Sequence, residues 1–298
     1  MRIALVTCHP FPEGVVDDEK PLRDALGILG ADVAEPAWDA DVDWSSFDGV
    51  LLRTPWDYQA RPDEFLRWCE QVASVTRLVH DADIVRWNLD KRYLAELASR
   101  GVPIADTLWL DVDFLDRFAS RDARIDALRA TMEARGWARG FLKPVVGANA
   151  LLALRFDATD AGLTVAAEHL ESHARAFMFQ PYLERVETDG ECSLIWVDGR
   201  WSHGVRKVPA AGDFRVQEDW GAKDHLWEAD APARKVAQRT LDVVSRKGFD
   251  LLYARVDLLE TGTGSYVVNE LELVEPALFM RHRPLVGEWL ARGLLRRL

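Results

Sequence analysis

Apolar positions in the first 85 residues fall in short continuous runs separated by segments of helical periodicity. The runs at residues 2–7, 47–53 and 77–80 suit strands that are buried on both faces, whereas residues 17–29 and 62–75 repeat apolar side chains at helical spacing. Strands that alternate with helices predict a small doubly wound α/β domain. In such a domain, ligands meet the loops at the carboxyl ends of the strands.

A second pattern, strict alternation, lies near the carboxyl end of the chain and predicts a β-hairpin. Residues 253–259 and 265–272 alternate apolar and polar positions on either side of a turn sequence, Thr261-Gly262-Thr263-Gly264. Alternation places every second side chain on one face of a strand. We therefore expect one face of the hairpin to carry Arg255, Asp257 and Leu259 together with Val268, Glu270 and Glu272.

Asp257, Glu270 and Glu272 would form a cluster of carboxylates that repel one another unless a cation lies between them. Mg²⁺ prefers oxygen ligands of this kind and keeps phosphate oxygens and waters in its remaining positions. The cluster therefore predicts a magnesium-dependent nucleotide site. The alternative is three solvated acids on an exposed sheet face, the usual location of Asp and Glu. The many apolar residues of both strands favour a covered sheet instead.

Polar and aromatic side chains follow the strand predicted at residues 47–53. Arg53 ends that strand, Pro55 breaks it, and Trp56 and Asp57 come directly afterwards. Because this loop lies where the fold class binds ligands, we expect Arg53, Trp56 and Asp57 to anchor a small polar substrate through its carboxylate. The alternative is a packed aromatic loop that an Arg–Asp pair holds in place.

Lysine residues occur at two places suited to phosphate. Lys91 lies in the first turn of a helix predicted to open at Asn88, and the amino end of a helix favours anions. Lys143 lies in a predicted strand that leads into Gly147-Ala148-Asn149-Ala150 and a further strand at residues 151–156. Small residues let backbone N–H groups approach phosphate closely. The alternatives are a solvated lysine and an ordinary hairpin turn.

A hairpin predicted from residues 191–197 and 200–208, around an Asp-Gly turn, carries basic side chains. Lys207 lies near the end of its second strand, and Arg215 follows in the next loop. Because the chain has a formal net charge of −12, such groups need an anionic partner. We expect Lys207 and Arg215 to contact the phosphates of a nucleotide or an acyl phosphate. The alternative is that they pair at the surface with Glu218, Asp219 and neighbouring acids.

The composition limits the class of protein. With 298 residues, 48% of them hydrophobic, the chain is long enough for two or three subdomains with an apolar core. Its negative charge argues against nucleic-acid binding, which needs a basic face. The three cysteines are far apart and lack the spacing of a zinc site or a disulfide framework. No apolar stretch has membrane-spanning length or the core of a signal peptide, so we expect a cytoplasmic protein without a membrane partner.

The motifs named so far resemble, in their order, those of the ATP-grasp ligases. The strand with Arg-x-Asp, the turn, and the strand with Asn-Glu-x-Glu followed by Pro are similar to the metal-binding end of these enzymes. The resemblance covers residues 88–280. It implies an ATP-grasp fold, α/β with an α+β grasp region, behind a small doubly wound amino-terminal domain. The implied division is an amino-terminal α/β domain at 1–87, a central subdomain at 88–179 and a carboxy-terminal subdomain at 180–298.

The resemblance also implies a role for each matching residue. Lys91 and Lys143 correspond to the phosphate-binding lysines, and Arg255 to the donor that stabilises the oxyanion of the tetrahedral intermediate. Asp257, Glu270 and Glu272 correspond to the Mg²⁺ ligands, the last of which is Asn in many members. The adenine-binding hinge corresponds to Gln180, Tyr182 and Leu183. The acid that holds the ribose corresponds to either Glu191 or Glu187.

ATP-grasp ligases activate a carboxylate with ATP and let a nucleophile displace phosphate. The resemblance therefore implies an enzyme that uses ATP and Mg²⁺ on a small amino-acid substrate. The runs at 53–58, 202–209 and 212–217 are most similar to the cycloserine synthetases, a branch of the family that cyclises O-ureido-D-serine to D-cycloserine, an antibiotic. The alternatives are an intermolecular carboxylate–amine ligase, a kinase, and an ATP-binding module without turnover. Homodimers are common in the family, so a homodimer is a further expectation.

Overall fold

The structure, a computed structural model, describes residues 1–11, 16–173, 175–262 and 264–298. Strands lie at Arg2–Thr7 (β1), Asp32–Ala34 (β2), Gly49–Thr54 (β3), Arg77–Val79 (β4), Leu108–Leu110 (β5), Arg139–Pro144 (β6), Leu154–Asp157 (β7), Phe177–Pro181 (β8), Glu191–Val197 (β9), Arg200–Val208 (β10), Lys223–Trp227 (β11), Tyr253–Gly262 (β12) and Ser265–Glu272 (β13). Helices lie at Val16–Ile28 (α1), Pro62–Val75 (α2), Ala82–Leu89 (α3), Tyr93–Ser99 (α4), Arg121–Arg135 (α5), Asp160–Ser172 (α6), Val186–Asp189 (α7), Ala231–Ser245 (α8) and Leu285–Leu295 (α9). Thr263, in the turn predicted between the last two strands, lies outside the described residues.

The amino-terminal strands form a parallel sheet in the order β2-β1-β3-β4. Helices α1 and α9 cover one face, where Leu22 and Leu290 pack with Leu5 in a buried cluster. Helix α2 covers the other face, where Phe65 packs with Val6. The continuous apolar runs suit these strands because both of their faces are buried. The predicted doubly wound α/β domain is confirmed, and its outer helix α9 comes from the carboxyl end of the chain.

Two antiparallel sheets follow, in the orders β5-β8-β6-β7 and β11-β10-β9-β12-β13. Helices α5 and α6 bury their apolar faces on the first sheet, and α8 packs on the second. A cavity opens between these sheets, and α1 and the loop after β3 close one end of it. This is the combination of an α/β domain and an α+β grasp region that the sequence predicts.

The helix predicted to open at Asn88 is two helices. Asn88 lies in α3, whose last residue is Leu89, and α4 begins at Tyr93. Between them the carboxylate of Asp90 accepts a hydrogen bond from the backbone N–H of Arg92 at 2.8 Å. An Asp side chain that bonds the backbone two residues onward competes with continuation of a helix. Lys91 therefore lies in the turn between the helices rather than in a helical first turn.

A β-bulge interrupts β13 at Asn269. Asp257 pairs with Glu270, but the next residue of β12, Leu258, pairs with Val268, so Asn269 is the extra residue. Because the side chains of a strand alternate, the extra residue moves Val268 to the opposite face. Val268 is buried with Leu258 in the apolar cluster beneath the sheet. The expectation that Val268 shares a face with Glu270 is therefore wrong.

Candidate active site

The acidic side chains of the hairpin meet at the cavity because of the register between β12 and β13. Asp257 pairs with Glu270, and Arg255 pairs with Glu272. All four residues line the cavity. The structure thus brings together the three carboxylates and the arginine that alternation places on one face.

Asp257 is the most firmly held of these carboxylates. Its oxygens accept hydrogen bonds from Arg255 Nε at 3.0 Å and Nη2 at 2.9 Å and from Ser193 Oγ at 2.5 Å. Lys207 Nζ lies 3.5 Å from its Oδ2. Burial opposes ionisation of Asp257, but Arg255 and Lys207 outweigh burial and lower the pKa to about 2. Asp257 is therefore a fixed negative charge at neutral pH.

The two predicted phosphate lysines lie beside Glu270. Lys91 Nζ is 2.9 Å from Glu270 Oε1 and donates a hydrogen bond to the carbonyl of Gly147 at 2.5 Å. Lys143 Nζ donates to the carbonyl and the side-chain oxygen of Asn269, both at 3.1 Å. Burial raises the pKa of Glu270, but the two lysines outweigh it and the net shift is downward. Burial removes water from the ammonium group of Lys143 and so lowers its pKa. A bound phosphate would stabilise the positive charge in place of that water.

Asn269 is a cavity residue that the sequence reasoning left out of the site. Its Oδ1 accepts from Lys143, and its Nδ2 donates to Glu191. The bulge turns its side chain to the cavity. The signal was present in the pattern, because an Asn after two adjacent valines, Val267 and Val268, breaks the strict alternation of β13.

Two further carboxyl groups of the cavity wall have raised pKa values. Burial raises the pKa of Glu272 to about 8, in spite of its ion pair with Arg255, and the nearby Asp257 adds to the rise. Burial also raises the pKa of Glu275 to about 7, although the hydroxyl of Tyr58 donates to its Oε1 at 2.7 Å and opposes the shift. The site therefore holds more carboxyl groups than its lysines and arginine neutralise.

The chemistry of the carboxylates fits Mg²⁺, because Asp257, Glu270 and Glu272 offer the hard oxygen ligands that this ion prefers. Among the described residues, however, no three Asp, Glu, His or Cys side chains converge on one metal position. Glu270 is turned to Lys91, and Asp257 and Glu272 are turned to Arg255. A bound cation would therefore take these carboxylates from their present partners, and the metal ligand set stays a prediction.

The other end of the cavity is formed by the segment predicted as the adenine hinge. Gln180, Tyr182 and Leu183 line the wall there, and Gln180 Nε2 donates to Thr107 Oγ1 at 2.8 Å. The backbone N–H of Tyr182 donates to the carbonyl of Arg139 at 3.0 Å, which anchors the segment to β6. The hinge residues thus lie about the cavity, as their predicted role requires.

Of the two acids predicted for the ribose, the structure places Glu191 at the cavity. Glu191 is 4% exposed and contacts Lys207 and Asn269. Glu187 lies off the cavity wall, where it accepts hydrogen bonds from Arg155 Nη1 and from the hydroxyl of Tyr182, both at 2.6 Å. Helix α7, at Val186–Asp189, carries Glu187 away from the cavity.

Lys207 and Arg215 both line the cavity, and each has an acidic partner. Lys207 contacts Glu191 and Asp257, whereas Arg215 donates to Asp213 at 2.6 Å. Among the described residues, neither pairs with Glu218 or Asp219, and Glu218 contacts Arg281. The pair of Arg215 with the neighbouring Asp213 is nevertheless of the kind that the alternative expects. The predicted contacts of Lys207 and Arg215 with phosphate stay a prediction.

The small-residue loop after β6 covers part of the cavity in a strained conformation. Asn149, Ala150 and Leu152 have φ angles of 54°, 53° and 61°, a region that side chains other than Gly rarely adopt. The indole N–H of Trp220 donates to the carbonyl of Asn149 at 3.1 Å. A strand cannot contain these angles, so the strand predicted at 151–156 begins only at Leu154.

Arg53 does not line the cavity, contrary to the expectation that it binds the substrate. It is 2% exposed and donates to Glu19 from Nε at 2.9 Å and from Nη2 at 2.7 Å, and to the carbonyl of Pro276 at 3.1 Å. A guanidinium buried between a sheet and its covering helix needs a carboxylate inside the protein. Helix α1 supplies that carboxylate as Glu19, so Arg53 is a structural ion pair.

The expectation that Asp57 binds the substrate is not met either, whereas Trp56 lies at the cavity, as expected. Asp57 accepts hydrogen bonds from the indole N–H of Trp38 at 2.7 Å and from Arg61 at 3.0 Å, and it lies off the cavity wall. Trp56 lines the cavity and donates its indole N–H to the carbonyl of Glu275 at 3.1 Å. The alternative considered from the sequence, a packed aromatic loop, therefore describes most of this motif.

Replacing Arg53 by Ala is expected to lower the free energy of unfolding by about 3–5 kcal/mol, because it leaves Glu19 buried without a counter-charge. Urea denaturation followed by circular dichroism measures this change. The matched control is Arg61→Ala, which removes a partly exposed arginine and should cost about 1 kcal/mol or less. A loss below about 1 kcal/mol for Arg53→Ala would contradict a structural role for the pair.

Comparison with known proteins agrees with this geometry. A family model described as the N-terminal domain of D-cycloserine synthetase DcsG matches residues 3–80, and one described as the ATP-grasp domain of prokaryotic glutathione synthetase matches residues 119–269. The cycloserine biosynthesis protein DcsG of Streptomyces lavendulae is 36% identical over 277 residues, which cover 88% of this chain and 87% of that protein. The chain belongs to the DcsG family of ATP-grasp ligases. The predicted family, the ATP-grasp fold and an ATP-dependent ligase are confirmed.

Solved structures of this family and of other ATP-grasp proteins share the fold. The crystal structure of the D-cycloserine synthetase DcsG matches with a TM-score of 0.86 and 32% identity, over 100% of this chain and 99% of that one. A D-alanine–D-alanine ligase from Bacillus anthracis matches with a TM-score of 0.68 and 14% identity, over 99% of this chain and 96% of that one. Among the described residues, no helix combines the length and apolar character needed to span a bilayer.

Proposed function

We propose that this DcsG-family ligase cyclises O-ureido-D-serine to D-cycloserine at the expense of ATP. The observation that carries the proposal is a single cavity that holds the residue types this reaction needs. It is lined by the hinge and lysines suited to ATP, by Arg255 and Asp257, and by Trp56 and Glu275. The similarity to DcsG of Streptomyces lavendulae extends over the amino-terminal domain that contributes Trp56 to this cavity.

In the proposed binding mode, adenine lies against Gln180, Tyr182 and Leu183, and Glu191 accepts hydrogen bonds from the ribose. Lys91 and Lys143 meet the phosphates. These would replace the Glu270 carboxylate and Gly147 carbonyl that Lys91 now contacts, and the two oxygens of Asn269 that Lys143 now contacts. Exchanging one set of oxygen partners for another keeps both buried ammonium groups paired. The loop that contains Asn149 covers the same region and offers backbone N–H groups to phosphate.

The first chemical step transfers the terminal phosphoryl group of ATP to the carboxylate of the amino acid, with ADP as the leaving group. Lys207 and Arg215 neutralise charge on the transferred group, and positioning supplies most of the catalysis in such a step. Asp257, Glu270 and Glu272 would hold Mg²⁺, which would neutralise phosphate charge when bound. Both basic residues reach the cavity from β10 and the loop that follows it.

In the second step, the nitrogen bonded to the side-chain oxygen attacks the carbonyl carbon of the acyl phosphate, and phosphate leaves. Arg255 donates to the oxyanion that develops on the carbonyl oxygen, in the manner of a preorganised oxyanion site. Its guanidinium is buried and oriented by Asp257, Glu272 and the carbonyl of Ala277. The product lacks the carbamoyl group of the ureido nitrogen, so water must remove that group in a further step.

The proposal is tested by phosphate release from Mg·ATP across a panel of D- and L-amino acids that includes O-ureido-D-serine, with mass spectrometry of the products. We expect phosphate release and a cyclic product with O-ureido-D-serine. Release only after addition of a second amine would favour an intermolecular ligase, and a phosphorylated product that persists would favour a kinase. Tight ATP binding without release would favour a binding module.

The remaining expectations concern the setting of the reaction. We propose a cytoplasmic location, where ATP is abundant and where Cys8, Cys69 and Cys192, all buried and unpaired with one another, would stay reduced. A homodimer stays a prediction, which light scattering of the purified protein tests.

A further inference from the structure

Three side chains, one at the end of β3 and two in the loop after it, hold one short segment of the carboxy-terminal part of the chain. Arg53 Nη2 donates to the carbonyl of Pro276 at 3.1 Å, and the indole N–H of Trp56 donates to the carbonyl of Glu275 at 3.1 Å. The hydroxyl of Tyr58 donates to Glu275 Oε1 at 2.7 Å. The motif that was expected to bind substrate therefore converges on Glu275 and the residue after it.

Glu275 is a buried carboxyl group of the cavity wall. It is 8% exposed and lines the cavity. Tyr58 occupies one of its oxygens, whereas its Oε2 accepts no hydrogen bond from any residue that the structure describes. Two residues later, the carbonyl of Ala277 accepts from Arg255 Nη1 at 3.2 Å. The segment that carries Glu275 is thus bonded directly to the arginine assigned to the oxyanion.

The other carboxylates of the cavity that contact basic side chains are less suited to accept a proton. Glu272 is one of them, because its Oε1 accepts a hydrogen bond from Arg255, although burial raises its pKa to about 8. Asp257 and Glu270 have lowered pKa values because arginine and lysine residues contact them. Glu191 is paired with Lys207, and Asp224 is paired with Arg281. A general base is most effective when its pKa lies near the operating pH, and burial places that of Glu275 at about 7.

We propose that Glu275 is the general base of ring closure, and that Tyr58, Trp56 and Arg53 are positioning residues that hold it against the substrate. The inference rests on the proposed function, because it names the group that accepts the proton released in that reaction. As the nitrogen attacks the carbonyl carbon, a C–N bond forms and the N–H proton moves to Glu275 Oε2. The bond from carbon to the phosphate oxygen then breaks, and phosphate leaves with its electron pair.

The charged and titratable groups around Glu275 come from each element near it. Tyr58 belongs to the amino-terminal domain and Lys91 precedes α4, whereas Tyr253 and Arg255 lie in β12 and Glu270 and Glu272 lie in β13. The hydrogen bond from Tyr58 favours the ionised carboxylate and lowers its pKa, as do Lys91 and Arg255, whereas burial and Glu270 raise it. A substitution of Tyr58 therefore changes the pKa of the proposed proton acceptor and leaves Glu275 itself in place.

The first test separates activation of the carboxylate from ring closure in Glu275→Gln. Hydroxylamine traps the acyl phosphate as a hydroxamate, and mass spectrometry measures D-cycloserine. We expect hydroxamate formation within about threefold of the wild-type protein and ring closure lower by about 100-fold or more, the usual contribution of a general base. The matched control is Asp219→Asn, an exposed carboxylate at the same cavity, which should keep the wild-type ratio.

The second test uses Tyr58→Phe, which keeps the ring and removes the donor. Without that hydrogen bond the pKa of Glu275 rises, and ring closure needs the ionised form. The acidic limb of the rate of ring closure should therefore move to higher pH by about one unit. Trp56→Phe removes a hydrogen bond to the backbone carbonyl of Glu275 and not to its carboxylate. The acidic limb of the ring-closure rate should therefore stay at the same pH in this variant.

The outcomes separate this inference from the function on which it rests. If the wild-type protein forms no cyclic product, the proposed function fails and the inference fails with it. If the wild-type protein cyclises and Glu275→Gln cyclises equally well, the inference alone is overturned. An equal loss of hydroxamate and of cyclic product would make Glu275 a binding or structural residue, and an unmoved acidic limb in Tyr58→Phe would also overturn its role as base.

Discussion

Replacing Glu270 by Gln is expected to lower kcat/KM for Mg·ATP by about 1000-fold, the largest effect of any single substitution at the site. That factor corresponds to about 4 kcal/mol, which is the scale of charge stabilisation by a metal ion and its ligands. Gln keeps the size of the side chain but removes the charge that would bind Mg²⁺ and that now pairs with Lys91. Isothermal titration of Mg²⁺ with a non-hydrolysable ATP analogue, beside steady-state kinetics, measures the effect.

The matched control for this substitution is Glu260→Gln on the same sheet. Glu260 lies off the cavity wall and pairs with Arg185 at 3.1 Å, so its loss should leave the use of Mg·ATP unchanged. Far-ultraviolet circular dichroism should show that both variants keep the fold. Full turnover by a folded Glu270→Gln protein would remove Glu270 from the metal site.

Replacing Arg255 by Lys is expected to lower kcat by about 100-fold to 1000-fold, the range found for loss of one oxyanion donor. Lys keeps the positive charge but lacks the planar fork with which Arg255 contacts Asp257, Glu272 and the carbonyl of Ala277 at once. A compact ammonium cannot satisfy these partners and also meet the substrate. Kinetics at saturating ATP, with D-cycloserine measured as product, test this expectation.

The control for Arg255→Lys is Arg206→Lys. Arg206 lies in β10, donates to the carbonyl of Asp189 at 3.0 Å and lies off the cavity wall. The conservative change there should leave kcat within about twofold of the wild-type value. A similar loss of activity in both variants would mean that the sheet, and not the cavity, is sensitive to arginine replacement.

Much of the fold could be predicted because local patterns carry it. The apolar runs of β1 and β3 and the alternation of β12 and β13 are properties of neighbouring residues, and each reports how many faces of a strand are buried. That Asp257 shares a face with Glu270 and Glu272 followed from the same alternation and a short turn. The bulge at Asn269 was missed although the adjacent Val267 and Val268 interrupt the alternation, because the sequence of one strand does not show which residue of the other strand each position pairs with.

The roles of Arg53 and Asp57 could not be predicted, because the sequence shows where a strand ends but not what packs over it. Arg53 stands at the carboxyl end of β3, where ligands commonly bind, yet Glu19 of α1 covers it. Its other partner, Pro276, is 223 residues away in the chain. No spacing or periodicity relates positions so far apart.

The sequence by itself determined the chemical types at the site, which are lysines for phosphate, carboxylates suited to Mg²⁺ and one arginine beside them, and its resemblance to the ATP-grasp ligases implied the architecture. Each of these types follows from a motif whose residues are near neighbours. The tertiary structure alone decided that Glu191 and not Glu187 meets the cavity, and that the motif of Arg53, Trp56 and Tyr58 holds Glu275. Such choices depend on long-range packing and on burial, which set both the partner and the pKa of a side chain only after the sheets have come together.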